Sequence, residues 1–135
     1  MLGITFPPRP GGLSVTDVAV PGGWSQRSID IAGRTFDLLL PAQPDAFLET
    51  LATLPRSEHD KHDVFWAQLW HSAPHTAARV LGRPWPAGAQ AMEFGCGVGL
   101  LSLAALAAGL EVTVSDYEPL AVYTALENAR RNGFA

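Results

Sequence analysis

Three glycines at alternate positions, Gly95, Gly97 and Gly99, follow the acidic Glu93 in the stretch Met92-Glu93-Phe94-Gly95-Cys96-Gly97-Val98-Gly99-Leu100. Glycine permits positive φ and carries no Cβ, so this spacing belongs where something comes very close to the backbone. Gly95 can make a tight turn, Gly97 can let a ligand lie on the main chain, and Gly99 can seat a following helix against the preceding strand. About twenty residues further on, Asp116 supplies a second carboxylate, placed to accept both hydroxyls of a ribose. The chemistry these residues suit is the binding of a nucleoside that carries an anionic group.

The flanking segments supply the elements that must hold them. Ala89-Gln90-Ala91-Met92 reads as a short, mostly apolar, buried strand, and Leu100 to Ala108 as a buried helix closed by Gly109. Leu110-Glu111-Val112-Thr113-Val114-Ser115 has the β-branched content of a second strand and ends at Asp116. A right-handed strand-helix-strand crossover brings the carboxyl ends of two parallel strands together, and with them the glycine turn and Asp116. The helix N-terminus there offers free N–H groups to an anion.

Glycine spacing separates two cofactor classes. A dinucleotide fingerprint is G-x-G-x-x-G, whereas here Leu100 stands where the last glycine would fall. Glu93, just before the turn, would repel a pyrophosphate and welcome an ammonium. S-adenosylmethionine (SAM) carries such an ammonium together with a carboxylate, a sulfonium and a ribose. The E-x-G-x-G-x-G run resembles motif I of the class I (seven-β-strand, Rossmann-like) SAM-dependent methyltransferases, and Val112-Thr113-Val114-Ser115-Asp116 resembles the segment that follows it there.

Further stretches carry the same resemblance. Phe65-Trp66-Ala67-Gln68-Leu69-Trp70-His71-Ser72-Ala73 is similar to the W-x-x-x-W-P-S-A-like stretch of the protein lysine methyltransferase group, with His71 where proline is usual. The resemblance implies that Trp70 borders the SAM pocket; Phe65 and Trp66 are expected to pack in the core. The run from Asp116-Tyr117-Glu118-Pro119-Leu120 to Glu127-Asn128-Ala129-Arg130-Arg131-Asn132-Gly133 resembles the same enzymes, which implies that Tyr117 lies along the adenine edge. Cofactor-binding positions expected on this basis are Trp70, Glu93, Gly95, Cys96, Gly97, Gly99, Asp116 and Tyr117. No catalytic residue is assignable, and no metal site is expected.

The 135 residues are 47% hydrophobic and 16% charged, with a formal net charge of -4, which describes a globular chain with no general attraction to nucleic acid or anionic lipid. The single cysteine, Cys96, excludes an intramolecular disulfide and reads as a small packing residue of the turn rather than a redox centre. There is no signal peptide pattern and no apolar run long enough to span a bilayer, so the cytoplasm is the expected compartment. His59, His62, His71 and His75 have no recognised ligand spacing.

In chain order, residues 1–26 read as an irregular arm rich in proline and glycine. Residues 27–82 read as an N-terminal hairpin and helical layer: strands Arg27–Ile31 and Arg34–Leu40 joined by Ala32-Gly33, a helix opened by Pro44 and stopped by Pro55, and a polar loop Ser57–Asp63. A second helix runs from Ala73 to Leu81, capped by Ser72 and ended by Gly82. Residues 83–135 are expected, by the same resemblance, to be the SAM-binding β-α-β-α unit of an incomplete methyltransferase domain. Its last helix opens at Glu118 and Pro119, buries Ala121, Val122, Ala125, Leu126 and Ala129, and pairs Glu127 with Arg131.

The expected fold class is therefore α/β, the N-terminal part of a Rossmann-like doubly wound methyltransferase domain preceded by a hairpin and short helices. The chain is expected to stop after the second strand-helix unit, leaving strand edges through which it self-associates. The resemblance implies methyl transfer to a protein lysine or another amine. A nucleotide-dependent oxidoreductase fragment, and a non-catalytic SAM-binding remnant acting as an interaction module, stand as alternatives.

Overall fold

A computed structural model of the chain describes residues 14–134. Strands β1 (Trp24–Ile31) and β2 (Arg34–Pro41) pair antiparallel, with Ile31 opposite Arg34. They turn through Ala32 (φ 49) and Gly33 (φ 79), the two left-handed residues that a type I′ hairpin requires. The hairpin starts three residues earlier than expected. Trp24 is anchored there by its indole N–H, which donates to the Val18 carbonyl at 2.8 Å. Ahead of it, Val15–Asp17 form a 3-10 turn closed by a Ser14/Asp17 capping box, so part of the expected irregular arm is structured. Residues 1–13 of that arm lie outside the described residues.

Helix α1 (Pro44–Ala52) opens on Pro44 as expected. Inside the segment expected to be a polar loop, residues 56–59 form a one-turn helix, α2 (Arg56–His59), and the His59 ring bonds the Leu54 carbonyl at 2.9 Å. Helix α3 (Ser72–Leu81) begins one residue early, so Ser72 is its first residue rather than its cap, and His71 takes the cap position without a side-chain bond.

Strands β3 (Gln90–Phe94) and β4 (Glu111–Ser115) pair parallel in register Gln90 to Glu111 through Phe94 to Ser115, with α4 (Leu100–Ala107) as the crossover. Gly109 (φ 88) ends α4 by letting the Leu110 N–H reach the Ala105 carbonyl at 3.0 Å. Strand β3 is not buried: Met92 is 54% and Phe94 77% exposed. Parallel strands are buried when helices cover both faces, but among the described residues each strand of this sheet has one neighbour, and helix α4 packs on it while Met92 and Phe94 stay open.

Helix α5 (Pro119–Arg131) joins the two sheets, packing on β2, α4 and β4. Pro119 opens it, the Glu118 side chain caps Leu120, and Glu127 pairs with Arg131 at 3.1 Å and Arg130 at 2.7 Å. Alongside the expected alanines it buries Thr124, Glu127 and Asn128. One core results, with Phe36, Leu38 and Leu40 of the hairpin meeting Trp66, Leu69, Ala77, Leu100, Leu103 and Val112. No helix among the described residues is long and apolar enough to cross a membrane.

Candidate cofactor site

The glycine turn joins β3 to α4 with φ of 69, 51 and 86 at Gly95, Gly97 and Gly99. Three left-handed residues within so short a run would strain any other residue type. The turn is tied to its surroundings by its own backbone. Cys96 N–H donates to the Ser115 carbonyl at 3.0 Å, and Gly97 N–H donates to Asp116 Oδ2 at 2.8 Å. Asp116 Oδ1 accepts from the Glu118 N–H at 3.0 Å, so this carboxylate links the turn, the end of β4 and the start of α5. Each oxygen of a carboxylate has two lone pairs, which leaves capacity for further donors.

Two glycines serve neighbours other than those expected. A Cβ on Gly99 would lie 2.7 Å from Ala125 Cβ and 2.9 Å from its Cα, so Gly99 seats α5, not strand β3, against the turn. A Cβ on Gly97 would lie 3.2 Å from the Trp66 carbonyl, so the backbone that approaches it here is the chain's own. Gly95 alone of the three has open space beside it and faces the cavity described next.

That cavity, of about 240 Å3, lies between the turn, the 3-10 turn Phe65–Ala67 and the first turns of α3. Glu93, Gly95, Cys96, Gly97, Asp116 and Trp70 all line it; Gly99 and Tyr117 do not. Tyr117 is exposed, and its hydroxyl bonds the Asp60 carbonyl at 3.3 Å. Trp66 is buried as expected, but Phe65 is 57% exposed and is not core. Its ring lies against Trp70, centre to centre 6.3 Å, at the cavity's edge. At three residues per turn, consecutive side chains of the 3-10 turn point about 120° apart, so Trp66 packs into the core while Phe65 stays exposed.

Glu93 sits at the mouth of α4. Gly99, the N-cap, has no side chain to satisfy the first turn, and Glu93 reaches in from β3 to accept from the hydroxyl and backbone N–H of Ser102. Burial pushes its carboxyl above the usual carboxylate range; the Ser102 bonds oppose the rise and the nearby Asp116 charge adds to it. Burial, then Asp116 and Glu93, raise the Cys96 thiol to about 12, which leaves it a protonated packing group.

Asp63 was not singled out by sequence reasoning. It lines the same cavity, and its Oδ1 accepts from Phe65 N–H at 2.9 Å. An aspartate two residues before the N–H that it caps is an Asx-turn signature, and that local signal was available. The cavity wall thus carries three carboxylates, Asp63, Glu93 and Asp116, and no Lys, Arg or His among the described residues. Nor do the described residues gather three possible metal ligands anywhere.

A parallel strand pair, a left-handed glycine turn feeding the crossover helix and an acid closing the second strand make a Rossmann-like α/β unit, the fold class to which class I methyltransferase domains belong. Comparison with known proteins falls on the same stretch, where residues 71–135 match the profile of the family described as ribosomal protein L11 methyltransferase (PrmA). Curated relatives with that name include one from Alteromonas mediterranea, 52% identical over 48 residues, or 35% of this chain and 16% of the relative. Another, from Bordetella parapertussis, is 38% identical over 63 residues (46% and 20%). A third, from Campylobacter jejuni subsp. doylei, is 33% identical over 63 residues (47% and 22%). The aligned part of the chain thus spans about a fifth of the length of these relatives.

Proposed function

We propose that this chain is the cofactor-binding part of a SAM-dependent protein methyltransferase whose acceptor is a lysine or another amine. The observation that carries the reading is the cavity wall: three carboxylates, no basic residue among the described positions, and an open-sided Gly95. Such a wall suits a ligand with cationic groups and ribose hydroxyls, and it opposes the pyrophosphate of a dinucleotide. In this reading Glu93 faces the amino-acid ammonium, Asp116 accepts the ribose hydroxyls, the backbone of Gly95 to Gly97 forms the floor, and Trp70 forms one wall. SAM supplies a methyl group on a sulfonium; the residues named bind and orient it.

The relatives' name puts ribosomal protein L11 forward as the acceptor, and the net charge of -4 favours approach by a basic protein surface. The cytoplasm is the compartment that goes with it. Equilibrium dialysis with labelled SAM tests the cofactor assignment. Label should be retained and be displaced by S-adenosylhomocysteine but not by NAD, and displacement by NAD would reverse the assignment. For the isolated chain we infer self-association through the open β3–β4 sheet, where Met92 and Phe94 are exposed. A monodisperse monomer by light scattering would contradict it.

A further inference from the structure

Asn132 and Gly133 close helix α5 and form the single Asn-Gly pair of the chain, whose other asparagine, Asn128, is followed by Ala129. An asparagine before glycine is open to attack by its own backbone, because a following residue without a Cβ lets its nitrogen reach the side-chain amide carbon. In that step the Gly133 nitrogen gives its proton to a solvent base and bonds to Asn132 Cγ. The Cγ–Nδ2 bond breaks, and the amide nitrogen leaves with a proton as ammonia. Water then reopens the succinimide ring to aspartate or isoaspartate and restores the Gly133 N–H.

The fold holds both reacting groups back. Gly133, with a φ of 82, sits in a Schellman closure in which its N–H donates to the Arg130 carbonyl at 3.1 Å and the Phe134 N–H donates to the Ala129 carbonyl at 2.9 Å. The attacking nitrogen is therefore engaged as a donor. The Asn132 carboxamide is pinned as well: Oδ1 accepts from the Asp37 N–H at 2.9 Å, and Nδ2 donates to the carbonyls of Asp37 and Asn128, each at 2.8 Å. Ammonia cannot leave until Nδ2 gives up those bonds.

We propose that Asn132 is a self-modification site, silent while α5 is docked on the hairpin, reactive when that contact opens, and unable to restore the contact once converted. Aspartate places a carboxylate oxygen where Nδ2 stood, against the lone pairs of the Asp37 and Asn128 carbonyls. It also adds negative charge at the negative end of the helix. Isoaspartate routes the main chain through the side-chain methylene, and that longer backbone loses the register of the Gly133 and Phe134 bonds. Helix α5 carries Ala125 against Gly99 and Asn128 against Val98, so the loosening reaches the glycine turn. Conversion needs only water, and it proceeds whatever the turn binds.

The test incubates the 135-residue chain in mildly alkaline buffer, folded and in guanidinium chloride, and follows the amide-to-acid mass change by peptide mass spectrometry, with Asn128 as internal reference. In denaturant Asn132 should convert about tenfold or more faster than Asn128, since Ala129 carries the Cβ that Gly133 lacks. In the folded chain Asn132 should convert about tenfold or more slowly than in denaturant, a factor set by how seldom the contact opens. Hydrogen exchange reads the consequence: the Asp37 amide should exchange about tenfold or more faster in Asn132→Asp than in wild type. Where Asn132→Asp does not fold, the converted fraction of the folded wild-type sample, separated by its added negative charge, is measured in its place. Equal conversion at Asn132 and Asn128 in denaturant would overturn the proposal. So would equal rates at Asn132 with and without denaturant, or an Asp37 amide as protected in the converted chain as in wild type.

Discussion

The carboxamide of Asn128 donates to the Val98 carbonyl at 2.8 Å, and so fastens helix α5 to the glycine turn from behind. The same side chain, fully buried, also grips β2: its oxygen accepts from Leu39 N–H at 2.6 Å and its nitrogen donates to the Leu39 carbonyl at 2.9 Å. One turn on, Asn132 repeats the grip on Asp37, with bonds of 2.9 and 2.8 Å. Two side-chain amides thus pair with the free edge of the hairpin as a third strand would.

Asn128→Ala should therefore destabilise the chain by about 2–4 kcal/mol, since it leaves buried groups on Leu39 and Val98 without partners. Urea unfolding measures this, and a midpoint equal to wild type would show that the buried groups are satisfied another way.

The glycines should rank by what stands beside them. Gly99→Ala meets Ala125 at 2.7 Å and a φ of 86, so overpacking adds to backbone strain and the loss should be about 2–4 kcal/mol. Gly95→Ala meets open space and should cost only about 1–2 kcal/mol, from its φ of 69. Thermal unfolding of the two variants checks the order, and equal losses would show that Gly99 is not the seat of α5.

The local part of this architecture was legible in the sequence, because it depends on residue types at short spacing. The Ala32-Gly33 turn, Pro44 and Pro119 at helix starts, and the strand-turn-helix around Gly95 to Gly99 all follow from backbone rules. What escaped depends on which distant element lies opposite. That Gly99 faces Ala125 and Gly97 faces the Trp66 carbonyl is set by the packing of α5 and the 3-10 turn, which no spacing rule reports. Exposure of β3 escaped for the same reason, since an apolar strand reads as buried whether or not a neighbour covers it. Asn128 left a signal that was passed over, because asparagine in a helix interior is unfavourable unless its side chain has a task.

Glu93 should make cofactor binding depend on pH. Its carboxyl titrates above the usual carboxylate range in the fold, so the folded state holds that proton more tightly than the unfolded state does. Its contribution to stability therefore falls as pH rises from the ordinary carboxylate value through the raised one. A ligand ammonium beside it favours the charged form and displaces the proton, so affinity for S-adenosylhomocysteine should rise with pH over that same window. Titrations between about pH 5 and 8 should show this rise in wild type and a flat profile in Glu93→Gln. A wild-type profile that is flat, or that falls with pH, would remove Glu93 from the ammonium site.

The central claim is that Asp116 and the turn it holds bind a nucleoside bearing a cationic amino acid, and calorimetry with S-adenosylhomocysteine on wild type and Asp116→Ala tests it most directly. Asp116 anchors Gly97 N–H at 2.8 Å and is the carboxylate proposed to accept the ribose hydroxyls. The account predicts measurable binding in wild type and a loss of about 1–3 kcal/mol, or roughly five- to 150-fold, in the variant. Equal affinity in the two proteins would contradict it.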